Sequence, residues 1–442
     1  MIGLRMGVAI EGYRERWSMR HISPRQPPTT ISSLGGKSRN MLAPLARVFA
    51  LSTGEDLVDE LRMLEVADRT SSARRLLPVA VKLFVPSHWQ ACIARVAASF
   101  ARLTLYTHTG RGRQDTLFII GPTQEIEAWA RALSSAALPA APLGLDILTQ
   151  LARVYPRTYH TFACRERALD FSAKTGLMGI LNVTPDSFYD GGRYLDPQAA
   201  VDRAHQMLAE GADIIDIGGQ SSRPGSDPVS EAEEESRVVP IVEAVAKAVS
   251  TIISVDTYRA GVAQAALDAG AHLINDISAL RFDPGLLGVV AERRVPLILM
   301  HMQGMPRTMQ LNPTYEALID EVFAFLQERL RAAQAGGIPA EHLLIDPGIG
   351  FGKGAQHNLE LLRKLHHFQA LGRPLVIGTS RKSFIGRMLG TAVDERLEGT
   401  AATVAAAIVQ GADIIRVHDV GAMARVARMM DALVRPHFSA PA

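Results

Sequence analysis

Cysteine is nearly missing from this chain: its 442 residues include two, Cys92 and Cys164, far apart and with no His or Cys at ligand spacing. That excludes a disulfide scaffold and a zinc site, and it suits a reducing compartment, so a cytoplasmic protein is expected. No apolar run approaches the roughly 18 residues a membrane-spanning helix needs, so no membrane partner is expected. Formal net charge is only +2, with no long basic block, and nothing calls for a nucleic-acid partner. Some catalytic signatures are absent too. There is no Ser-His-Asp order, no nucleophile elbow and no HExxH, so hydrolysis by those routes is unsupported. What remains is ordinary for globular chains, 47% hydrophobic and 21% charged, and the length suits two domains.

The first forty residues differ from the rest, with Arg5, Arg14, Arg16, Arg20, Arg25, Lys37 and Arg39 against Glu11 and Glu15. Residues 1–45 read as a disordered tail or a start assigned too early, since Met6, Met19 and Met41 follow; a transit peptide is the alternative. Residues 46–157 read as a small α/β domain of unknown role. Its pattern is a strand at 79–85, a helix at 86–100, strands at 103–108 and 116–120, and a helix at 125–133.

Beyond residue 158 the texture changes. Eight short apolar runs, at 178–183, 213–219, 252–257, 272–278, 296–302, 343–348, 374–380 and 413–419, alternate with helix patterns. Asp196-Pro197, Asp283-Pro284 and the capping box Ser230-Glu231-Ala232-Glu233 mark helix starts. Gly211, Gly270 and Gly411 mark helix ends, each supplying the left-handed residue before the next strand. Eight β-then-α units fit a (β/α)₈ TIM barrel, an α/β fold, over residues 158–442. An open doubly wound sheet is less favoured, because no G-x-G-x-x-G opens a helix after the first strand. The paired histidines His366 and His367 read as a solvated helix face.

Polar residues gather where each run ends: Asn182, then Ser221, Ser222 and Arg223, Asp256, Asn275 and Asp276, His301, Asp346, then Ser380, Arg381 and Lys382, and Arg416 with His418. In a barrel these ends share one rim, and burying so many polar groups without a use costs several kcal/mol. Arg223, Arg381, Lys382 and Arg416 suit an anionic substrate such as a phosphate ester. Asp256, Asn275 and Asp346 suit a flat heterocycle that presents adjacent N–H donors. His301 reads equally as a packed rim residue or a ligand contact. The stretch Gly348-Ile-Gly-Phe-Gly-Lys353 lacks P-loop spacing and reads as a close-packed βα loop.

The strings themselves resemble a known family. Met178-Gly-Ile-Leu-Asn-Val-Thr-Pro-Asp-Ser-Phe188 with Asp190-Gly-Gly is similar to the first signature of the dihydropteroate synthases, and Gly218-Gly-Gln-Ser-Ser-Arg-Pro-Gly225 to the second. Ser254-Val-Asp-Thr257, Asn275-Asp-Ile-Ser278, Met300-His-Met-Gln-Gly304, Asp346-Pro-Gly-Ile-Gly-Phe-Gly-Lys353, Ser380-Arg-Lys-Ser383 and Arg416-Val-His-Asp419 follow in the family's order. The resemblance covers roughly residues 161–436. It implies a pterin-binding barrel that condenses 6-hydroxymethyl-7,8-dihydropterin diphosphate with p-aminobenzoate, a sulfonamide target acting as a homodimer. It further implies that Asp346, Asn275, Asp256 and Lys382 bind the pterin, and that Arg416, His418, Arg223 and Asn182 bind the diphosphate. Asn182 would also be the protein ligand of Mg²⁺, the one cofactor implied. Ser222, Pro224, Phe351 and Ser380 would form the p-aminobenzoate pocket, with Ser380 at a helix N-terminus. Asp186 would stabilise a pterin cation, with Lys382, Arg416 and His418 completing the catalytic set.

Two residues depart from the family's usual Gly-Gly-Glu-Ser-Thr-Arg-Pro-Gly: this chain has Gln220 and Ser222. They keep open a second reading, an inactive pterin-binding paralogue. A third is a reduced-folate methyltransferase acting on a corrinoid, which shares the pterin-binding residues but has no need of the Ser380 and Arg416 motifs.

Overall fold

The computed structural model describes residues 45–50, 79–108, 114–154, 160–183, 196–220 and 229–439. The chain divides into two compact units, Met1–Leu151 and Ala152–Ala442. The expected tail lies outside the described residues, except for Leu45.

Among the described residues of the first unit, four antiparallel strands run in the order β1-β2-β4-β3: β1 Leu45–Ala50, β2 Val79–Pro86, β3 Thr104–His108 and β4 Gln114–Gly121. Helices Ser87–Ala97, Thr123–Ser135 and Ala141–Val154 accompany them. Every second residue of β2, from Val79 to Val85, joins Leu117, Ile119, Ile93, Trp129 and Ile147 in one core, as the two-residue period of a strand requires. Gln150 blunts the open edge. Its amide accepts from Val48 N and donates to Ala46 O, both at 2.8 Å, much as one residue of a further strand would.

The second unit is the (β/α)₈ barrel. Its strands are β7 Gly176–Asn182, β8 Ile214–Gly218, β9 Ile252–Asp256, β10 Leu273–Asp276, β11 Leu297–Met300, β12 Leu343–Asp346, β13 Val376–Ile377 and β14 Ile414–Val417. All pair in parallel in the order β12-β11-β10-β9-β8-β7-β14-β13. A bridge between Ile345 and Leu375, just ahead of β13, closes the ring. Helix starts and stops act as their residues dictate. Asp196 accepts from Gln198 N at 3.1 Å and Ser230 from Glu233 N at 3.2 Å. Gly211, Gly270 and Gly411 take φ of 108°, 114° and 101°, which lets the next amide reach back to a helix carbonyl.

A hairpin, β5 Thr161–Cys164 with β6 Arg167–Asp170, precedes the barrel. Its Phe162, Cys164 and Leu169, with Phe171, pack on one inward side chain from each strand: Met178, Ile214, Ile252, Leu273, Ile298, Leu344, Val376 and Ile414. The N-terminal mouth is thereby plugged with hydrocarbon, and chemistry is left to the other end. Phe162→Ala is expected to cost about 3–5 kcal/mol of stability, read from the urea midpoint, while KM values stay unchanged.

One expectation fails here. His366 and His367 lie in a 3-10 segment, Leu365–Leu371, whose three-residue period turns His367 into the core beside Phe368, while His366 Nδ1 lies 2.7 Å from Gln410 Oε1.

Candidate active site at the open end of the barrel

Counting by twos from the plugged end places the polar side chains inside the barrel. Ile252 leads through Ser254 to Asp256, Ile214 to Asp216, Leu273 to Asn275, Leu344 to Asp346, and Ile414 through Arg416 to His418. These residues meet. Arg416 donates from Nε to Asp216 Oδ2 at 2.6 Å and from Nη2 to Asp256 Oδ2 at 2.8 Å. Asn275 Nδ2 donates to the same Asp216 oxygen at 3.2 Å, while Asp216 Oδ1 is buried with no partner. Burial carries the Asp256 carboxyl up to about 7, against the pull of Arg416 and with added repulsion from Asp216. Burial also works against the Arg416 charge, but the two carboxylates outweigh it and hold the guanidinium above its ordinary range.

Asp346 ends β12 buried, and its Oδ1 accepts from Gly348 N at 2.6 Å. Burial raises its carboxyl above the usual range, opposed chiefly by Lys382. The loop that follows is packed against β11. Gly348 has φ of 72°, and a Cβ there would lie 1.9 Å from His301 O. Four successive carbonyls, of Ile349, Gly350, Phe351 and Gly352, accept in turn from Lys382, Gln310, Lys353 and Tyr315. Lys382 Nζ also stands 4.9 Å from the centre of the Phe351 ring. Burial pulls Lys382 down to about 8, opposed by Asp346. Phe351 itself borders the apolar cluster of Ile277, Met300, Met302 and Met309.

Ser380 and His418 form a pair. Ser380 Oγ accepts from His418 N at 3.1 Å and lies 3.0 Å from His418 Nδ1, within hydrogen-bond reach of the ring. The helix that Ser380 was expected to open starts later, at Ser383, with Lys382 at its N-cap. Two members of the expected polar ring face elsewhere. Arg381, at φ 55°, forks onto Asp419 at 2.7 and 2.8 Å rather than adding to the cations at the mouth. Asp276 accepts from Ser278 N and Leu280 N, tying down a turn. Asn182 ends β7, its amide oxygen 3.9 Å from where a Cβ on Gly218 would lie. Asp186, Ser222, Arg223 and Pro224, with Asp190, lie outside the described residues.

The sequence pattern singles out neither Asp216 nor Lys353. Asp216 sits inside the run Ile214-Ile215-Asp216-Ile217, where a lone acid at an inward position was the available signal. Lys353 Nζ lies 2.8 Å from His301 Nδ1, and burial drives both groups well below their ordinary ranges. Gln220 donates to Tyr258 Oη at 3.3 Å and lines a small cavity with Glu234 and Asp256.

The family model described as pterin binding enzyme matches residues 178–418. A dihydropteroate synthase of Synechocystis sp. is 46% identical over 292 residues, 66% of this chain and 100% of the relative. The solved Yersinia pestis dihydropteroate synthase in a sulfonamide drug complex has a TM-score of 0.60 at 44% identity, covering 62% of this chain and 99% of that one. The Xanthomonas albilineans enzyme with 4-aminobenzoic acid has a TM-score of 0.59 at 42% identity, covering 62% and 98%. The barrel, its polar end and these relatives agree: the chain belongs to the pterin-binding enzyme family, among the dihydropteroate synthases.

Proposed function

We infer that this chain is a transferase of folate biosynthesis that condenses 6-hydroxymethyl-7,8-dihydropterin diphosphate with p-aminobenzoate, giving 7,8-dihydropteroate and pyrophosphate. The observation that carries the reading is the meeting of Asp346, Asn275, Asp256, Lys382 and Arg416 at one mouth, with acceptors for a pterin edge beside cations for a diphosphate. Asp346 takes the pterin's guanidine-like edge with two hydrogen bonds, helped by Asn275 and Asp256, and Lys382 bonds a ring nitrogen or the carbonyl. Arg416, His418 and Arg223 hold the diphosphate. The methylene C–O bond breaks with its electron pair leaving on the diphosphate, and Asp186 stabilises the pterin cation. The amine nitrogen of p-aminobenzoate then bonds that carbon and loses a proton. Ser222, Pro224 and Phe351 position the aromatic acid, and Ser380 acts beside it by orienting His418.

The residues present fit Mg²⁺ held mainly by substrate oxygens. Among the described residues no group of three His, Cys, Asp or Glu could hold a metal alone, whereas Asn182 offers a hard amide oxygen that bonds no other described side chain. Held there by Asn182, Mg²⁺ would supply positive charge against that of the diphosphate. A homodimer is supported by Met429 and Leu433, one turn apart on the last helix and 61% and 66% exposed. A cytoplasmic location suits the two free thiols. Among the described residues no helix is long and apolar enough to cross a membrane.

The test is pyrophosphate release, which is expected to need both substrates and Mg²⁺ and to be inhibited by a sulfonamide competitively with p-aminobenzoate. No release with fresh substrates, or inhibition indifferent to p-aminobenzoate, counts against the reading. The pH profile of kcat/KM for the pterin substrate is expected to be bell-shaped. Activity falls as pH drops through about 7, because Asp256 gains a proton and ceases to be an acceptor-only group. It falls again as pH rises through about 8, because Lys382 loses the proton that makes it a cation. A flat profile from pH 6 to 9 would contradict these assignments.

Gln220→Glu is expected to change kcat/KM by less than about tenfold, equivalent to about 1.4 kcal/mol. The glutamine already satisfies Tyr258, and a carboxylate would add charge to a cavity lined by Glu234 and Asp256. Steady-state kinetics decides it: an inactive natural chain revived by Gln220→Glu would point instead to a degenerate pterin-binding paralogue.

A further inference from the structure

Lys353 has no part in the reaction as described, yet it is among the largest fully buried side chains. A buried ammonium is poor evidence for stability, since an apolar side chain of equal size usually serves as well. Its surroundings suggest another use. Nζ faces His301 Nδ1 at 2.8 Å, Phe351 O at 3.0 Å and His301 O at 3.4 Å, three polar groups on two neighbouring segments. Two of them belong to the end of β11 and one to the residue whose ring borders the mouth. The other donors to this loop's carbonyls reach in from outside it, whereas Lys353 belongs to the loop and ties it to the neighbouring strand. Glycines flank Phe351 on either side, at φ of 84° and 61°, values a side chain in their place would rarely adopt.

We propose that Lys353 is a positioning residue, an internal staple between β11 and the loop after β12 that fixes the Phe351 ring as a wall of the p-aminobenzoate site. The inference rests on the proposed function and deepens it, assigning to a buried lysine the affinity for the aromatic acid and for sulfonamides that mimic it. Because the staple acts through the Phe351 carbonyl, it bears on the second substrate more than on the pterin.

The experiment is steady-state kinetics on the full chain carrying Lys353→Met, which keeps length and apolar packing. KM for p-aminobenzoate and Ki for a sulfonamide are expected to rise about tenfold, with kcat and the Kd for pterin diphosphate within about threefold. A fall in thermal midpoint with both KM values unchanged would mean that Lys353 only supports the fold, and the proposal would be overturned. Should that variant be insoluble, His301→Phe removes the ring acceptor and His301→Asn retains one. A raised KM for p-aminobenzoate in the first, restored in the second, supports the staple; equal KM values in both overturn it. The unmodified chain in the same assay separates the two levels. Turnover there with no KM effect in the variants sinks the staple alone, whereas no turnover sinks the functional reading and the staple with it.

Discussion

Asp346→Ala is expected to lower kcat/KM on the order of a hundredfold or more, about 2.7 kcal/mol or above. The carboxylate is buried at the end of β12 and already holds the amide of Gly348 through one oxygen. On the proposed reading, removing it withdraws the acceptor for two pterin N–H groups, so the loss includes the cost of stranding those donors. It also removes the charge that opposes the lowering of Lys382. Lys382→Ala should cost a similar factor, because it takes away the cation beside the ring and the donor to Ile349 O. In the proposed function the two act on one ligand edge, so the double variant is expected to lose less than the product of the single losses. Steady-state kinetics with the pterin substrate varied would check this. A loss below tenfold in either single variant, with the fold intact, would remove that residue from the site.

How much of this was legible follows from period and position. The barrel could be read because each strand is a short apolar run, and because Gly211, Gly270 and Gly411 stop their helices at matching points. Strand 13 could not be bounded. An apolar run at 374–380 shrinks to Val376–Ile377, because Pro374 has no N–H to give and only a bridge at Leu375 meets β12. In the first unit, β1 and the helix Ala141–Val154 escape notice, since β1 is a single six-residue run and the helix carries Pro142 and Gly144 in its first turn, residues that read as a turn.

Within the site, Asp256, Asn275, Asp346 and Arg416 stand at strand ends where polarity is conspicuous. The run Ser380-Arg381-Lys382 is less transparent: it reads as three rim groups, but the positive φ of Arg381 sends its guanidinium to Asp419 and leaves Lys382 over Phe351. Which of three adjacent side chains faces a ligand depends on one backbone torsion, and composition does not disclose it.

Asp216 is the sharpest case, and Asp216→Asn gives the second large effect. One of its oxygens holds both Arg416 and Asn275, while the other is buried with no partner. A group kept for stability alone would not leave a carboxylate oxygen in that state, since it costs about 1–3 kcal/mol or more. The arrangement makes sense if Asp216 sets the orientation of Arg416 toward the diphosphate and of Asn275 toward the pterin. The asparagine keeps shape and one acceptor but gives up the charge-assisted bond to Arg416, typically worth about 1.5–3 kcal/mol. Arg416 is then shared with Asp256 alone, which draws it from the diphosphate. kcat/KM is expected to fall about a hundredfold, whereas stability should hold or rise, because a buried charge has been removed. Urea unfolding and kinetics on the same preparation separate the possibilities. Full activity with stability reduced by several kcal/mol would mean that Asp216 serves the barrel and not the reaction, and the orientation of Arg416 would then need another cause.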